Sequence, residues 1–113
     1  MSKPVSLKSS GDFGRVYTHR KSFANQYLVM YILKNDLMYS RMGISVSKKV
    51  GNSVVRHRLT RLVRESRRLN MDRIRTGYDI VVVVRAAAKG KGFHDIEDAF
   101  LQLCGRHHLL ADK

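Results

Sequence analysis

The sequence predicts a single small α+β domain whose elements follow the order α-β-β-α-β-α. The chain has 113 residues, and domains hold roughly 100–200 residues, so we expect one domain over residues 1–113. Hydrophobic residues make up 43% of the chain, which is enough to bury a core and argues against wholesale disorder. Three stretches have the composition of β-strands, and an arginine-rich segment between the second and the third has the periodicity of a helix.

The chain begins with a predicted arm and a short helix. Residues 1–9 form a basic, polar stretch, which we expect to be a flexible arm. A short helix is predicted over residues 10–19, because Phe13, Val16 and Tyr17 have the i, i+3, i+4 spacing of one helical face.

Three strands and a last helix follow from composition and periodicity. A strand is predicted over residues 27–33, with Leu28 and its alternate neighbours on one face. Both faces of this strand are apolar, so it should be covered on both sides. Further strands are predicted over residues 39–47 and 78–85, and the chain leaves room for one more short strand. A helix is predicted over residues 93–108, with one apolar stripe: Ile96, Phe100, Leu103 and Cys104.

The central segment, residues 47–70, predicts an amphipathic helix with an unusual polar face. Asn52 or Ser53 can cap its start. At about 100° per residue the apolar side chains fall within an arc of about 120°; they are Val55, Leu59, Leu62, Val63 and Leu69. On the opposite side four cationic or histidine side chains fall within about 60°; they are His57, Arg61, Arg64 and Arg68.

The charge of the chain points to a polyanionic partner. There are 22 Lys and Arg residues against 9 Asp and Glu, a formal net charge of +13. The positive field of such a chain attracts polyanions. Nucleic acid is the first candidate and an anionic membrane surface the second, and the abundance of arginine favours nucleic acid. A solvated helix face is the ordinary alternative, but such faces usually mix charge signs. The like charges of this stripe therefore favour an external polyanion.

The sequence resembles the protein-component family of bacterial ribonuclease P. The resemblance is carried by SKKVGNSVVRHRLTRLVRE at residues 47–65, a basic strand end followed by Gly-Asn and an arginine-rich helix. SLKSSGDFGRVY near the N-terminus, GISVSKK at residues 43–49 and YDIVVVVR at residues 78–85 resemble other parts of the family in the same order. The similarity covers about residues 6–108.

This resemblance implies a fold and a function. The fold would be a two-layer α+β sandwich with a small mixed sheet, and its central helix would lie in a left-handed βαβ crossover, against the usual right-handed preference. The protein would be an accessory subunit of an endoribonuclease that removes the 5′ leader from precursor tRNA. Its partners would be a catalytic RNA and the precursor tRNA, with Mg²⁺ held mainly by the RNA and no catalytic residue in this chain.

The resemblance also assigns residues to two surfaces. Matching residues of the central helix and the turn before it would bind the catalytic RNA: Lys48, Lys49, Asn52, Arg56, His57, Arg58, Arg61, Arg64 and Arg68. A cleft between the first helix and the sheet would bind the leader through Phe13, Tyr17 and Tyr31, whereas Tyr27 is expected in the core. His57 and Thr60 depart from the family pattern, in which Asn and Lys are usual.

Other functions find less support in the residues. No pair of carboxylates indicates general acid–base catalysis, so a self-sufficient nuclease is disfavoured. Cys104 and His107 could in principle form a nucleophile and base, but a buried structural thiol suits the apolar stripe better. His94 and the His107–His108 pair lack the neighbours of a metal site.

No apolar run approaches a membrane span or a signal peptide, so we expect a cytoplasmic protein. A general or ribosome-associated RNA-binding protein remains the alternative.

Overall fold

The structure, a computed structural model, describes residues 5–18 and 21–111. In chain order the elements are β1 (Val5–Ser6), α1 (Ser10–Thr18), β2 (Lys21–Ala24), β3 (Leu28–Lys34), β4 (Arg41–Val46), α2 (Ser53–Leu69), β5 (Tyr78–Val84) and α3 (Phe93–Arg106). Short 3₁₀ helices lie over Met71–Arg73 and Ala86–Ala88. The predicted strands and helices are all present, with ends shifted by a few residues.

The five strands form one open, mixed sheet in the order β1-β4-β5-β3-β2. β2 pairs antiparallel with β3, and β3 pairs antiparallel with β5. β4 lies parallel to β5 on one side and to β1 on the other. The predicted βαβ unit is therefore β4-α2-β5, and the left hand of its crossover stays a prediction.

Two strands are additions to the predicted order. β2 is a four-residue edge strand with mostly exposed side chains, so it has little apolar pattern that could reveal it. β1 lies in the predicted arm, where Val5–Ser6 pairs with β4 and Leu7 is buried. Residues 1–4 of that arm, and His19 at the end of the predicted first helix, lie outside the described residues.

Helices cover the two faces of the sheet unequally. α2 and α3 pack on one face over the main hydrophobic core, which includes Leu28, Met30 and Ile32 of β3. α1 covers part of the other face over a small cluster of Leu7, Val16 and Val81, against which further side chains of β3 pack. The prediction that alternate side chains of β3 pack on opposite faces of the sheet, and that both faces are covered, is confirmed.

The helix stripes are confirmed with one correction. In α3 the predicted side chains Ile96, Phe100, Leu103 and Cys104 are completely buried. In α2, Leu59 and Val63 are completely buried. Leu69 is 51% exposed, so the prediction that it belongs to the buried apolar stripe is wrong. Leu69 is the last residue of the helix, whereas Ser66, one turn earlier on the same face, is completely buried. The Ser66 hydroxyl donates a hydrogen bond to the Leu62 carbonyl oxygen at 2.8 Å, so this buried polar group has a partner.

Candidate nucleic-acid interface

The turn before α2 and the outer face of that helix form a continuous basic surface. Asn52 caps the helix, because its side-chain oxygen accepts a hydrogen bond from the Val55 N–H at 3.0 Å. Of the residues predicted to bind catalytic RNA, only Arg56 is half-buried. The others are exposed: Lys48, Lys49, Asn52, His57, Arg58, Arg61, Arg64 and Arg68. Eight of the nine predicted side chains are therefore accessible on α2 or in the turn before it.

Two arginines of this surface already have partners within the protein. Arg58 donates to the Lys91 carbonyl at 2.7 Å and so ties α2 to the segment before α3. Arg68 donates to both carboxylate oxygens of Glu65 in a bidentate ion pair. Arg68 thereby holds the pKa of the Glu65 carboxyl below its usual range. The charge of Arg68 is partly neutralised before any RNA arrives.

Arg61 and Arg64 are the most available cations of the helix. Within the described part of the chain neither makes a hydrogen bond or an ion pair, and both are exposed. They lie three residues apart and so share a helix face, where like charges repel. A phosphate backbone would supply the compensating negative charge.

Arg67 has a structural position that the sequence analysis did not reveal. Its side chain is only 5% exposed, and it donates to the carbonyls of Val5 and Ser40 at 2.8 Å each. Burial lowers the pKa of this guanidinium. Arg67 therefore fastens β1 and the start of β4 to α2. At 100° per residue it lies beside the buried Val63, at the border of the apolar stripe, and not on the face of the exposed arginines.

The three predicted leader-binding rings lie together on the α1 face of the sheet. Gly43, Val81 and Tyr31 are register partners across β4, β5 and β3. α1 lies over this row, with the Phe13 ring against Gly43. Tyr17 meets Tyr31 edge to face, with ring centroids 4.9 Å apart and an interplanar angle of 85°.

All three rings are half-buried, so each packs on the small cluster and keeps part of its surface accessible. Burial raises the pKa of the Tyr17 hydroxyl, and a hydrogen bond with Ser45 partly offsets this shift. Tyr17 is therefore a neutral phenol that can stack on an unpaired base or donate a hydrogen bond to it. Tyr27, expected in the core, is half-buried against the main core, with Lys91 Nζ 5.6 Å from its ring centroid.

A buried acid anchors the sheet beside α1. Asp79 is 1% exposed and accepts hydrogen bonds from Arg41 at 2.9 and 2.6 Å and from Asn35 at 2.8 Å. Arg15 of α1 lies 3.7 Å from the same carboxylate. Burial alone would raise the pKa of Asp79, but these partners hold it below its ordinary value. An Asp inside the otherwise apolar strand β5 is the sequence signal that marks this position.

The remaining polar candidates lie away from these surfaces. Cys104 is completely buried, and burial raises the pKa of its thiol to about 12, so the predicted structural role is confirmed. The His107 ring is buried, with Nε2 2.8 Å from the Met30 carbonyl oxygen. No helix in residues 5–18 and 21–111 is long and apolar enough to cross a bilayer.

Comparisons with known proteins agree with this architecture. A family model described as Ribonuclease P matches residues 1–108. The ribonuclease P protein component of Lachnoclostridium phytofermentans is 57% identical over 106 residues, covering 94% of this chain and 91% of that protein. The corresponding protein of Clostridioides difficile is 54% identical, covering 88% and 89% of the two chains.

Solved structures give the same result in three dimensions. The RNase P protein of Staphylococcus aureus superposes with a TM-score of 0.88 at 32% identity, covering 96% of this chain and 100% of that chain. The RNase P protein of Thermotoga maritima superposes with a TM-score of 0.83 at 35% identity, covering 89% of this chain and 96% of that chain. The similarity therefore extends over nearly the whole fold.

Proposed function

Because the chain belongs to the ribonuclease P protein family, we propose that it binds the catalytic RNA of the holoenzyme through α2 and the 5′ leader of precursor tRNA through its aromatic cleft. It is the protein subunit of ribonuclease P and acts in the processing of the 5′ end of tRNA. The observation that carries the proposed RNA contact is the pair of exposed arginines Arg61 and Arg64, for which the described part of the chain provides no hydrogen bond or ion pair.

The α2 surface suits a structured RNA. Its cations lie on a rigid helix whose N-terminus is capped by Asn52 and whose flank is fixed through Arg58. Guanidinium groups bind phosphate oxygens in a bidentate geometry, and such contacts position an RNA without reading its sequence. This surface would therefore recognise the fold of the catalytic RNA.

The aromatic cleft, formed by Phe13, Tyr17 and Tyr31, suits an unpaired strand. Every base has a flat face, so stacking on half-exposed rings tolerates a leader of varying sequence. The T-shaped contact of Tyr17 and Tyr31 holds the two rings in place before the leader arrives, which reduces the entropy lost on binding.

In this proposal the cleavage chemistry belongs to the RNA, and Mg²⁺ is held there. Bound to RNA, Mg²⁺ would activate the attacking water and stabilise charge on the leaving oxygen. In the part of the chain that the structure describes, no three His, Cys, Asp or Glu side chains lie together as a group that could hold a metal ion. The residues of this chain bind and orient the two RNAs.

Reconstitution tests the proposal. Precursor tRNA is incubated at low Mg²⁺ with the protein, with the catalytic RNA, or with both, and the 5′ cleavage product is measured. We expect no cleavage by RNA-free protein and a higher kcat/KM when the protein joins the RNA. Cleavage by rigorously RNA-free protein would overturn the assignment of the chemistry to RNA. Failure to raise kcat/KM would overturn the binding role.

A second measurement separates this function from general RNA binding. The protein is purified from cell extract and the RNA that accompanies it is sequenced. One dominant, long, structured RNA supports the ribonuclease P assignment, whereas a predominance of ribosomal RNA supports the ribosome-associated alternative.

A further inference from the structure

A cavity of about 380 Å³ lies at the end of the sheet where β4 and β5 begin. β1, the segment before β4, the C-terminal end of α2 and the turn before β5 enclose it, and its wall is mainly apolar, with Val5, Tyr39 and Ile74. None of the side chains assigned to the two RNA surfaces lines this cavity. Small-molecule sites typically measure about 300–1,000 Å³ and combine apolar walls with a few polar groups. The cavity therefore has the size and the lining of a small-molecule site.

The buried cation of this cavity is Arg67. Its side chain lines the cavity and is only 5% exposed. The guanidinium donates to the carbonyls of Val5 and Ser40, and both of these residues also line the cavity. The charged end of Arg67 therefore lies at the wall of the cavity.

The charge of Arg67 has no counter-ion within residues 5–18 and 21–111. Its hydrogen-bond acceptors are two neutral carbonyls, and no carboxylate in these ranges forms an ion pair with it. Arginine keeps its charge in proteins, and its guanidinium has more N–H donors than these two bonds use. A buried charge without a partner of opposite sign is costly. An anionic group in the cavity would supply the missing charge.

A carboxylate fits this site better than a phosphate. Its single charge matches the single buried guanidinium, and its two oxygens match the guanidinium fork. A phosphate would lose more hydration in a mainly apolar cavity than one buried cation can replace. The apolar wall suits a hydrocarbon or aromatic body, and Met38, which lines the cavity and is 94% exposed, can adapt its unbranched side chain to the shape of that body.

We propose that this cavity, which we call the Arg67 pocket, binds a small organic carboxylate with an apolar body. The carboxylate lies at the Arg67 guanidinium, and the body packs against Val5, Tyr39 and Ile74. The site is separate from the proposed RNA contacts, so its test does not depend on them.

The test uses 3-phenylpropanoate as the probe and methionine methyl groups as reporters. The acid is titrated at constant ionic strength into protein with ¹³C-labelled methionine methyls, and the shifts are followed by NMR. Met38 and Met71 line the pocket and should shift to saturation, whereas Met30, which is completely buried in the main core, should not. The neutral 3-phenylpropanamide has the same body without the charge, so it should bind on the order of tenfold more weakly.

Two results of this titration would overturn the proposal. One is equal affinity for the acid and the amide, because the buried charge would then contribute nothing. The other is a saturating shift of Met42 without shifts of Met38 and Met71, because Met42 lines the neighbouring cavity beside Arg61 and not the Arg67 pocket.

Arg67→Met removes the charge and keeps an unbranched side chain. Replacing a buried charge with an apolar group is often tolerated, and we expect this variant to bind the acid no more tightly than the amide. Lys89→Gln is the control, because it removes one exposed charge at the other end of β5 and should keep the preference for the acid. A preference that persists in Arg67→Met would contradict the proposal.

A second variant keeps the test valid if Arg67→Met does not fold. Thr76 is exposed and lines the pocket, so Thr76→Trp places an indole in it and leaves Arg67 in place. We expect this variant to lose binding of both the acid and the amide. Ala87→Trp, on the exposed turn before α3, is the matched control and should bind as wild type. Binding that survives in Thr76→Trp would place the ligand elsewhere and overturn the proposal.

Discussion

Phe13 of α1 and Gly43 of β4 are in direct contact, and the contact depends on the missing side chain of the glycine. A Cβ added to Gly43 would stand 2.8 Å from both Cε1 and Cε2 of the Phe13 ring and nearer still to Cζ. Gly43→Ala should therefore displace the ring and the start of α1. We expect a loss of about 1–3 kcal/mol in the free energy of unfolding, measured by urea denaturation, and weaker binding of leader-bearing precursor.

Gly14, in the same helix, provides the matched control. No atom lies within 4 Å of a Cβ added there, and alanine is favoured over glycine inside a helix by about 0.5–1 kcal/mol. Gly14→Ala should therefore stabilise the protein. If both glycine variants gave the same change in unfolding free energy, the contact of Phe13 with Gly43 would have no energetic importance.

The part of the fold that the sequence could predict is the part set by local patterns. Asn52 and the apolar spacing in α2 predict a capped amphipathic helix, because the cap and the face depend only on neighbours along the chain. β1 depends instead on Arg67, 62 residues from Val5 in sequence, which donates a hydrogen bond to the Val5 carbonyl oxygen. β2 has mostly exposed side chains and owes its conformation to pairing with β3. Such long-range contacts leave no periodic signal.

The same distinction applies to the candidate site. Periodicity places Arg61 and Arg64 on one exposed face, which the structure confirms. Periodicity alone cannot show that Arg67 is buried, because its burial depends on which backbone carbonyls lie opposite the helix. Periodicity also cannot place Phe13 beside Arg61 and Arg64, because the cavity that these side chains line forms where β1 ends and leaves β4 uncovered.

His107 should make the stability of the fold depend on pH. Burial lowers the pKa of its ring, and the contact with the Met30 carbonyl offsets this only in part. The unfolded chain therefore takes up a proton at a higher pH than the folded one, since an unperturbed histidine has a pKa of about 6.5. The free energy of unfolding should be constant above that pH and fall below it, by at most about 1.4 kcal/mol per pH unit.

The measurement is urea denaturation between pH 7.5 and 5. His107→Gln keeps an N–H that can donate to the Met30 carbonyl and removes the titration, so its stability should vary less over this range. His94→Gln is the control, because the His94 side chain is 92% exposed. Equal pH dependence in wild type and His107→Gln would contradict this assignment.

The salt dependence of binding to the catalytic RNA should report on Arg61 and Arg64. If each neutralises one phosphate, replacing both with Gln should flatten the slope of log affinity against log salt by about 1.5 to 2 units. Glu65→Gln should have the opposite effect, because it frees the Arg68 guanidinium from its bidentate partner. Lys34→Gln, at the exposed end of β3, should leave the slope near that of wild type. An unchanged slope in the double variant would place the RNA elsewhere.

Tyr17 and Tyr31 should affect the precursor and not the mature tRNA. Their rings meet edge to face and keep part of their surface accessible, so Tyr17→Ala or Tyr31→Ala removes a stacking surface for leader bases. We expect the reconstituted holoenzyme to lose about 1–3 kcal/mol in affinity for precursor tRNA at most. Its affinity for mature tRNA, which has no leader, should stay unchanged. The affinity of the protein for the catalytic RNA should also be unaffected.

Phenylalanine variants keep the ring of each tyrosine and remove only its hydroxyl group, so they separate the effect of the ring from that of the hydroxyl. Tyr31→Phe keeps the ring and should bind precursor nearly as wild type does. Tyr17→Phe also loses the hydrogen bond with Ser45, so a weaker affinity for precursor than that of wild type would report on the Tyr17 hydroxyl. Because both tyrosines pack on the cluster of Leu7, Val16 and Val81, unfolding of the alanine variants must be measured in parallel. If the alanine variants fold but lose precursor and mature tRNA equally, the two rings do not contact the leader.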